Sequence, residues 1–389
     1  MEKAHGAGAV ATPAGALFEV FDQIPVTLTR GEGAYLFDTD GRRYVDFYGG
    51  HAVALLGYVH PALLKALDRQ ARTLFFQTNA APLQVRERAA SALLRFGPDG
   101  LSRVFFVNSG AEANENALRV AFLATGQPRV VAVEGAFHGR TAAAAAVTAG
   151  HQRWYGFPSE PFPVTWVPFD DVDALGRAIG NDVAAMIVEP VQGVAGARAL
   201  SREFLARARE LTSARGAVLI FDEVQCGMGR TGWPFASQAY EITPDLLTVA
   251  KGLGGGFPVA AVLARETLAA AVKKGDLGTT FGGGPLAMAL VEAVIATIQD
   301  EGLLGRVRRL SQRLQQECHV GPVTAVQGMG FLLGLRTGPE AKQVIAALRD
   351  RGVLVGGSAD PHVVRLLPPL ILEDQHVDEL VAALKGISC

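Results

Sequence analysis

Apolar runs in the middle of the chain are followed directly by Glu189, Asp222 and Lys251. Continuous apolar runs of this length are typical of strands buried on both faces of a parallel sheet. Because the carboxyl ends of parallel strands meet at one edge, we expect two acids and one amine to lie together there. Open α/β sheets bind their ligands at this edge. The predicted strands are VVAVE at 130–134, VAAMIVE at 183–189, AVLIF at 217–221, LLTVA at 246–250 and VAAVLA at 259–264.

The remaining pattern predicts helices and a second, smaller sheet around this core. The strand VFFV runs into a helix start at NSG, so strand and helix alternate as in a mostly parallel α/β sheet. Residues 25–48 alternate apolar and polar positions around two glycine turns, which is typical of a small antiparallel sheet. The stretch 82–96 predicts an amphipathic helix with proline in its first turn, and further amphipathic helices follow from about 286.

Lys251 is the candidate catalytic residue. A lysine at a strand end is by itself more often a surface side chain that extends its charge into water. An acid at a second strand end, Asp222, favours a working amine instead. A buried amine most often forms a Schiff base with pyridoxal 5′-phosphate (PLP), whose ring nitrogen a carboxylate then holds. The cofactor's phosphate needs a helix start, and Ser109, Gly110 and Ala111 provide one through free backbone N–H groups and the helix dipole.

Several motifs in consistent order extend this hypothesis to nearly the whole chain. They are NSGAEAN at 108–114, FHGRT at 137–141, EPVQG at 189–193, DEVQ at 222–225, GRTG at 229–232, AKGLGGGFP at 250–258 and TTFGG at 279–283. On these motifs the chain resembles the class III PLP-dependent aminotransferases of fold type I, and within them the acetylornithine and succinylornithine aminotransferases. The resemblance implies a large PLP-binding domain at 51–287 with a mostly parallel central sheet. It also implies a smaller α+β domain built from 1–50 and 288–389.

The resemblance assigns roles to individual residues around the cofactor. Asp222 would hold the ring nitrogen, Gln225 the phenolic oxygen, and Val224 would pack beneath the ring. Phe137 would stack on the ring, as a planar aromatic can, although without the resemblance a core phenylalanine is an equal alternative. The further cofactor-binding residues implied are His138, Glu189, Thr279 and Thr280, the last reaching the partner's phosphate across a homodimer interface.

Two arginines would bind substrate carboxylates. A guanidinium matches a carboxylate with two parallel hydrogen bonds, and by resemblance Arg140 holds the acylornithine carboxylate and Arg365 the α-carboxylate of glutamate or 2-oxoglutarate. The implied activity is a ping-pong aminotransferase of arginine biosynthesis, with Lys251 as general acid and base. An ornithine, 4-aminobutyrate or other diamino-acid aminotransferase is the alternative. A non-catalytic protein of the same fold would have no reason to keep the lysine, the acid and Gln225 together.

The chain departs from the family pattern at three positions. Tyr58 replaces a histidine, Gly284 replaces an asparagine, and Val194 stands where relatives have a glutamate that pairs with the arginine matched by Arg365. A buried arginine without a counter-ion is costly. We therefore expect Arg365 either to find another acid or, as we favour, to stand permanently ready for 2-oxoglutarate.

Other function classes find little support. GMGRTG at 227–232 matches a dinucleotide-binding fingerprint, but Trp-Pro follows it instead of an uninterrupted helix. With 36 basic and 38 acidic residues, a formal charge of −2, and no run of either sign, nucleic acid and membrane are not expected partners. Three widely spaced cysteines, Cys226, Cys318 and Cys389, favour a reducing, cytoplasmic compartment and no metal site. The first 18 residues resemble a mobile tail rather than a signal peptide.

Overall fold

The computed structural model describes residues 17–387, which form the following elements. The strands are β1 Leu28–Glu32, β2 Tyr35–Asp38, β3 Arg43–Asp46, β4 Arg103–Val107, β5 Arg129–Val133, β6 Val164–Val167, β7 Val183–Val188, β8 Val191–Gln192, β9 Arg198–Ala199, β10 Val218–Asp222, β11 Leu246–Val249, β12 Ala260–Ala264, β13 Val323–Met329, β14 Leu332–Thr337, β15 Val353–Leu354 and β16 Val363–Leu366. The helices are α1 Gly49–Ala52, α2 Pro61–Thr73, α3 Gln84–Phe96, α4 Gly110–Thr125, α5 Ala142–Ala146, α6 Val172–Ala178, α7 Arg202–Arg215, α8 Ala236–Tyr240, α9 Glu266–Ala269, α10 Pro285–Asp300, α11 Leu303–Glu317, α12 Ala341–Arg349 and α13 Asp374–Lys385, with 3₁₀ turns at His151–Arg153 and Lys251–Gly254.

A seven-stranded sheet in the order β4-β12-β11-β10-β7-β5-β6 forms the centre of the molecule. The five strands from β11 to β6 are parallel to one another. β12 runs antiparallel to both of its neighbours. Every residue of β7, β10 and β11 is buried, as continuous apolar runs predict for strands covered on both faces. The predicted α/β fold class with a mostly parallel central sheet is confirmed, and β6 is a strand that the sequence pattern did not single out.

Two smaller sheets are built from the ends of the chain. β1, β2 and β3 form the predicted antiparallel arrangement, but β15, about 300 residues further along the chain, adds to it in parallel with β3. β13, β14 and β16 form an antiparallel sheet that carries Arg365. The N- and C-terminal segments therefore share one sheet. The domain boundaries after residues 50 and 287 stay a prediction.

Helix α10 supports the turn that carries the candidate lysine. It packs against α2, α3 and the 3₁₀ turn Lys251–Gly254. Pro285 occupies its first turn, where a missing N–H costs nothing, and most of its residues are buried. The predicted helix at 82–96 begins at Gln84, after Leu83 in an extended conformation, so its proline precedes the helix. Within residues 17–387 no helix is both long and apolar enough to cross a bilayer.

Candidate active site

A cavity of about 480 Å³ lies where the carboxyl ends of β7, β10 and β11 face the N-terminus of α4. It brings together most of the residues predicted from the sequence. Those that line it are Ser109, Gly110, Ala111, Phe137, His138, Arg140, Glu189, Asp222, Val224, Gln225 and Lys251. Arg365, Thr279 and Thr280 are not among the lining residues. The strand-end acids and amine therefore do meet at one edge of the sheet.

Lys251 stands in an unusual backbone conformation. β11 ends at Val249, one further residue follows, and Lys251 then begins the 3₁₀ turn with φ at +49°. Side chains disfavour this left-handed region, at a cost of about 1–2 kcal/mol. Strain of this kind is typical of functional positions that the surrounding structure holds in place. Here the conformation turns the chain sharply at the strand end, and Lys251 lines the cavity.

The electrostatic surroundings of Lys251 favour its neutral form. Burial lowers the pKa of its amine below the ordinary value, while the negative charges of Asp222 and Glu189 oppose this shift and Arg365 adds to it. Removing a charge from water is the dominant cost for such a group. A lysine with a lowered pKa is a better nucleophile and a better base at neutral pH than an exposed lysine.

Asp222 is buried and surrounded by hydrogen-bond donors. One carboxylate oxygen accepts from Asn114 Nδ2 at 2.7 Å and is 2.8 Å from His138 Nδ1; the other accepts from the Val224 amide at 2.9 Å. A carboxylate offers roughly four acceptor sites, so one site stays open on the oxygen that Val224 contacts. This arrangement fixes the orientation of the carboxylate and leaves it able to accept one further N–H, as from a pyridinium nitrogen.

Asn114 is a site residue to which the sequence reasoning gave no role. Its amide nitrogen donates to Asp222 and to the His138 carbonyl, while its oxygen accepts from Thr248 Oγ1 at 2.6 Å. It is fully buried on α4, among alanine and leucine side chains of the same helix face. A polar residue in the apolar stripe of a helix is the signal that could have found it.

The N-terminus of α4 forms a site suited to an anion. Ser109 caps the helix by accepting from the Glu112 amide, and the Glu112 carboxylate accepts from the Ser109 amide in return. The amides of Gly110 and Ala111 belong to the first turn, where no carbonyl of the helix can pair with them. A Cβ on Gly110 would lie 2.8 Å from Val224, so only glycine allows the helix start to pack on that side chain.

Glu189 joins the loop carrying Phe137 to the turn after β8. Its carboxylate accepts from the amide of Phe137 at 2.8 Å and from that of Gly193 at 3.0 Å. Burial, and then the nearby charge of Asp222, raise the pKa of Glu189 to about 7. The acid therefore fixes the backbone of the aromatic residue predicted to stack on the cofactor.

The four residues of the DEVQ motif lie in two different environments. Asp222, Val224 and Gln225 line the cavity. Glu223 points to α8 instead, where it accepts from the amides of Ala236 and Ser237, and burial raises its pKa to about 7. Only one of the two adjacent acids therefore belongs to the site.

Arg365 is buried on β16, and in the described part of the chain no acid pairs with it. Its guanidinium donates to the Gly357 carbonyl, to the Gly193 carbonyl at 3.2 Å and to Gln225 Oε1 at 3.3 Å. Burial lowers its pKa. Val194 lines the cavity without offering a counter-ion. Of the two alternatives from the sequence, pairing with another acid is not found among the described residues, and permanent readiness for 2-oxoglutarate stays a prediction.

Arg140 has a different setting at the mouth of the cavity. It is exposed, and its guanidinium carbon lies 4.7 Å from the centre of the Trp154 ring. No carboxylate within residues 17–387 pairs with it. Trp154 could not be identified from the sequence, because nothing in the local pattern relates it to a residue 14 positions earlier.

Thr279 and Thr280 lie beside the cavity. Thr279 Oγ1 accepts from the Gly282 amide at 3.0 Å and from Asn108 Nδ2 at 3.5 Å, and Asn108 lines the cavity. Thr280 is exposed. Its predicted role would be performed in a neighbouring subunit, so its position in one chain neither fulfils nor contradicts that prediction.

Three remaining interpretations concern segments away from the cavity. Cys226 and Cys318 are free and buried, while Cys389 and the first 16 residues lie outside the described residues. Arg230 of the GMGRTG stretch is fully buried, and its guanidinium bonds to the Pro368 carbonyl. This stretch therefore packs in the interior and does not open a helix that could receive a dinucleotide.

Comparison with known proteins agrees with this geometry. Residues 19–387 match the family model "Aminotransferase class-III". The acetylornithine aminotransferase of Streptomyces coelicolor is 45% identical over 96% of this chain and 93% of its own length. That of Methanocaldococcus jannaschii is 37% identical over 95% of each chain.

Solved structures show the same likeness. The acetylornithine aminotransferase of Elizabethkingia anophelis superposes with a TM-score of 0.85 at 30% identity, covering 94% of each chain. The ornithine aminotransferase of Toxoplasma gondii, described with partial occupancy of PLP at its active site, gives a TM-score of 0.89 at 30% identity and covers 95% of this chain and 91% of that one.

Proposed function

Because this chain belongs to the class III aminotransferases, and is therefore a PLP-dependent transaminase, we propose that it moves the amino group of an N-acylated ornithine to 2-oxoglutarate. The observation that supports this most directly is a pair of guanidinium groups that have no acid partner within residues 17–387: Arg140, exposed at the cavity mouth, and Arg365, buried on β16. An acylornithine has one carboxylate far from its reacting amine, and 2-oxoglutarate has one beside its ketone. The relatives named acetylornithine aminotransferase support this donor and a role in arginine biosynthesis.

The residues that line the cavity fit PLP. Bound PLP supplies an electron sink for carbanion chemistry at the substrate carbon. The amides of Gly110 and Ala111 with the Ser109 hydroxyl would hold its phosphate, and the open acceptor site of Asp222 would hold its ring nitrogen. The groups that would enclose its ring and phenolic oxygen are Phe137, Val224 and Gln225.

The chain itself supplies the proton transfers. Since burial lowers the pKa of Lys251, its Nζ can take a proton from the substrate carbon and return it. Asp222 would hold the protonated ring nitrogen, because the carboxylate oxygen that accepts from the Val224 amide can accept one further N–H. The His138 ring contacts Asp222, and the backbone of His138 belongs to the loop that carries Arg140. The acid and the loop are therefore fixed to each other.

An ornithine aminotransferase is the second candidate, favoured by the structural likeness to the Toxoplasma gondii enzyme. It would share the cofactor residues and differ only where the carboxylates bind. A panel of single half-reactions distinguishes the two. We expect the absorbance of the bound cofactor to change with N-acetylornithine and N-succinylornithine at a much higher kcat/KM than with ornithine or 4-aminobutyrate. A preference for free ornithine would reverse the order of the candidates.

The division of the substrate carboxylates between Arg140 and Arg365 gives a first prediction. Replacing Arg365 by alanine removes a fork to a carboxylate, worth about 1.5–3 kcal/mol, so kcat/KM for glutamate should fall roughly ten- to a hundred-fold. The acylornithine half-reaction should change much less. Val194→Glu should raise the KM for 2-oxoglutarate, because the new acid would compete for Arg365. Equal losses in both half-reactions of the alanine variant would contradict the division.

We also propose a homodimer with shared sites in a cytoplasmic compartment. Next to Thr280, the exposed ring of Phe281 contacts Phe76, with ring centres 5.3 Å apart, and Phe75 is exposed beside them. An apolar surface of this kind is typical of an interface.

A dimer predicts a specific effect of Thr280→Val. Losing a hydroxyl that bonds a phosphate should weaken PLP binding by about tenfold or more. Thr324→Val, which removes an exposed hydroxyl that bonds the Arg336 carbonyl, should leave cofactor affinity unchanged. Light scattering should give twice the mass of the chain. An active monomer would exclude the shared site.

A further inference from the structure

The guanidinium of Arg140 lies over an aromatic ring and has no polar partner among the described residues. Its carbon lies 4.7 Å above the Trp154 ring, and within residues 17–387 it has no hydrogen bond or ion pair. Stacking on an aromatic ring uses the flat face of a guanidinium. The N–H groups in its plane remain available for a bidentate bond to a carboxylate. Trp154 thus holds the arginine without competing with an anion.

The backbone of Trp154 is itself fixed. The amides of Trp154 and Tyr155 both donate to the His151 carbonyl at 2.9 Å, closing a tight turn. The Tyr155 hydroxyl donates to the Ala142 carbonyl at 3.3 Å, two residues after Arg140. The turn is therefore tied to the segment that carries the arginine.

His151 anchors this turn in the protein interior. Its side chain is 1% exposed, and its ring is stacked on Trp166. Nδ1 lies 3.0 Å from the Thr148 carbonyl and Nε2 lies 2.7 Å from a Glu160 carboxylate oxygen. Since both ring nitrogens face an acceptor, the ring cannot rotate without losing a contact.

Thr148 connects the two segments directly. Its carbonyl meets His151, while its hydroxyl accepts from the amides of His138 at 2.9 Å and Gly139 at 3.3 Å. Those two amides immediately precede Arg140. Thr148, which is buried, therefore holds both the backbone that precedes Arg140 and the His151 ring that anchors the Trp154 turn.

We infer that Trp154 is a positioning residue that presents the Arg140 guanidinium edge-on to the carboxylate of the amine donor. The inference rests on the proposed function, because it takes Arg140 as the donor's carboxylate ligand. It goes further by making the affinity for the donor depend on a residue that need not touch it.

Equilibrium binding to the PLP-loaded protein tests this without relying on turnover. The probe is Nα-acetyl-L-norvaline, which keeps the carboxylate and acyl group of N-acetylornithine but lacks the reacting amine. Cation–π contacts correspond to roughly a two- to thirty-fold effect on affinity, so Trp154→Ala should weaken binding of the probe by a factor in that range. Trp154→Phe keeps an aromatic face and should recover most of the loss.

The chain offers a matched control. Trp233 is partly exposed and carries Arg308 at 5.5 Å from its ring, away from the cavity. Trp233→Ala should leave binding of the probe unchanged. In the half-reactions, Trp154→Ala should raise the KM for N-acetylornithine by a similar factor, with kcat within about twofold of wild type. In an Arg140→Ala background the same substitution should have less than a twofold effect.

The outcomes separate two kinds of failure. Wild-type protein that neither binds the probe nor reacts with N-acetylornithine would refute the proposed donor and, with it, this inference. If the wild type binds the probe but Trp154→Ala binds it equally well, the inference alone is wrong. An effect that persists without Arg140 would also overturn it.

Discussion

Lys251→Ala is expected to abolish both turnover and covalent attachment of the cofactor. Lys251 is the amine that lines the cavity with a pKa lowered by burial, held in a strained conformation beside Asp222. Alanine has no amine to bond to PLP or to carry the proton, so activity should fall by at least several orders of magnitude. Borohydride reduction of wild-type protein with PLP, followed by peptide mass spectrometry, should place the adduct on Lys251.

The control for this result is an exposed lysine. Lys342→Ala on α12 should keep full activity and the same adduct. The thermal midpoint of the cofactor-free Lys251→Ala protein should stay close to that of the cofactor-free wild type, because no hydrogen bond of the Lys251 amine to described residues is lost. A variant that still yields a reduced cofactor adduct within the cavity would overturn the assignment.

Asp222→Asn should have the second largest effect. The substitution keeps the shape but removes the charge that holds a proton on the ring nitrogen, and loss of such electrostatic support costs about a hundred- to a thousand-fold or more in rate. Cofactor content should fall much less, because the phosphate site at α4 is intact. Single-turnover rates and PLP titration measure the two effects separately.

The contacts of Asp222 add a cost in stability. Both carboxylate oxygens already meet donors, from Asn114 and His138 on one side and Val224 on the other. An asparagine has only one acceptor oxygen, so its amide must face at least one of these donors. Leaving a buried donor unpaired costs about 1–3 kcal/mol. Urea unfolding should show a loss of this size.

Glu223→Gln is the matched control for the effect on rate. This adjacent acid is equally buried and accepts from two amides of α8, so its amide variant should lose comparable stability. It does not line the cavity, and turnover should stay within about tenfold of wild type. A near-normal rate for Asp222→Asn would show that the ring nitrogen is protonated by another group. An equal loss for both variants would show that the fall in rate comes from lost stability and not from the lost charge.

The sequence determined six of the seven strands of the central sheet and the identity of the principal chemical groups. Buried parallel strands are continuous apolar runs, so their positions and the charged residues at their ends can be read locally. The helix start at Ser109 and Gly110 is equally local, because capping depends on residues within one turn. The ordered motifs then indicated the family that the comparisons confirm.

Tertiary structure alone decided how these groups are held. Asn114 reaches Asp222 from 108 positions away, Arg365 bonds a carbonyl 172 positions away, and β15 joins the N-terminal sheet. Trp154 and Arg140 are closer in the sequence but belong to irregular segments without a period. Local patterns carry only the preferences of neighbouring residues, whereas partners of this kind depend on which distant surfaces meet when the core closes. Packing therefore decides which polar groups become partners, because a buried donor or acceptor can bond only to the groups that the fold brings within hydrogen-bond distance of it.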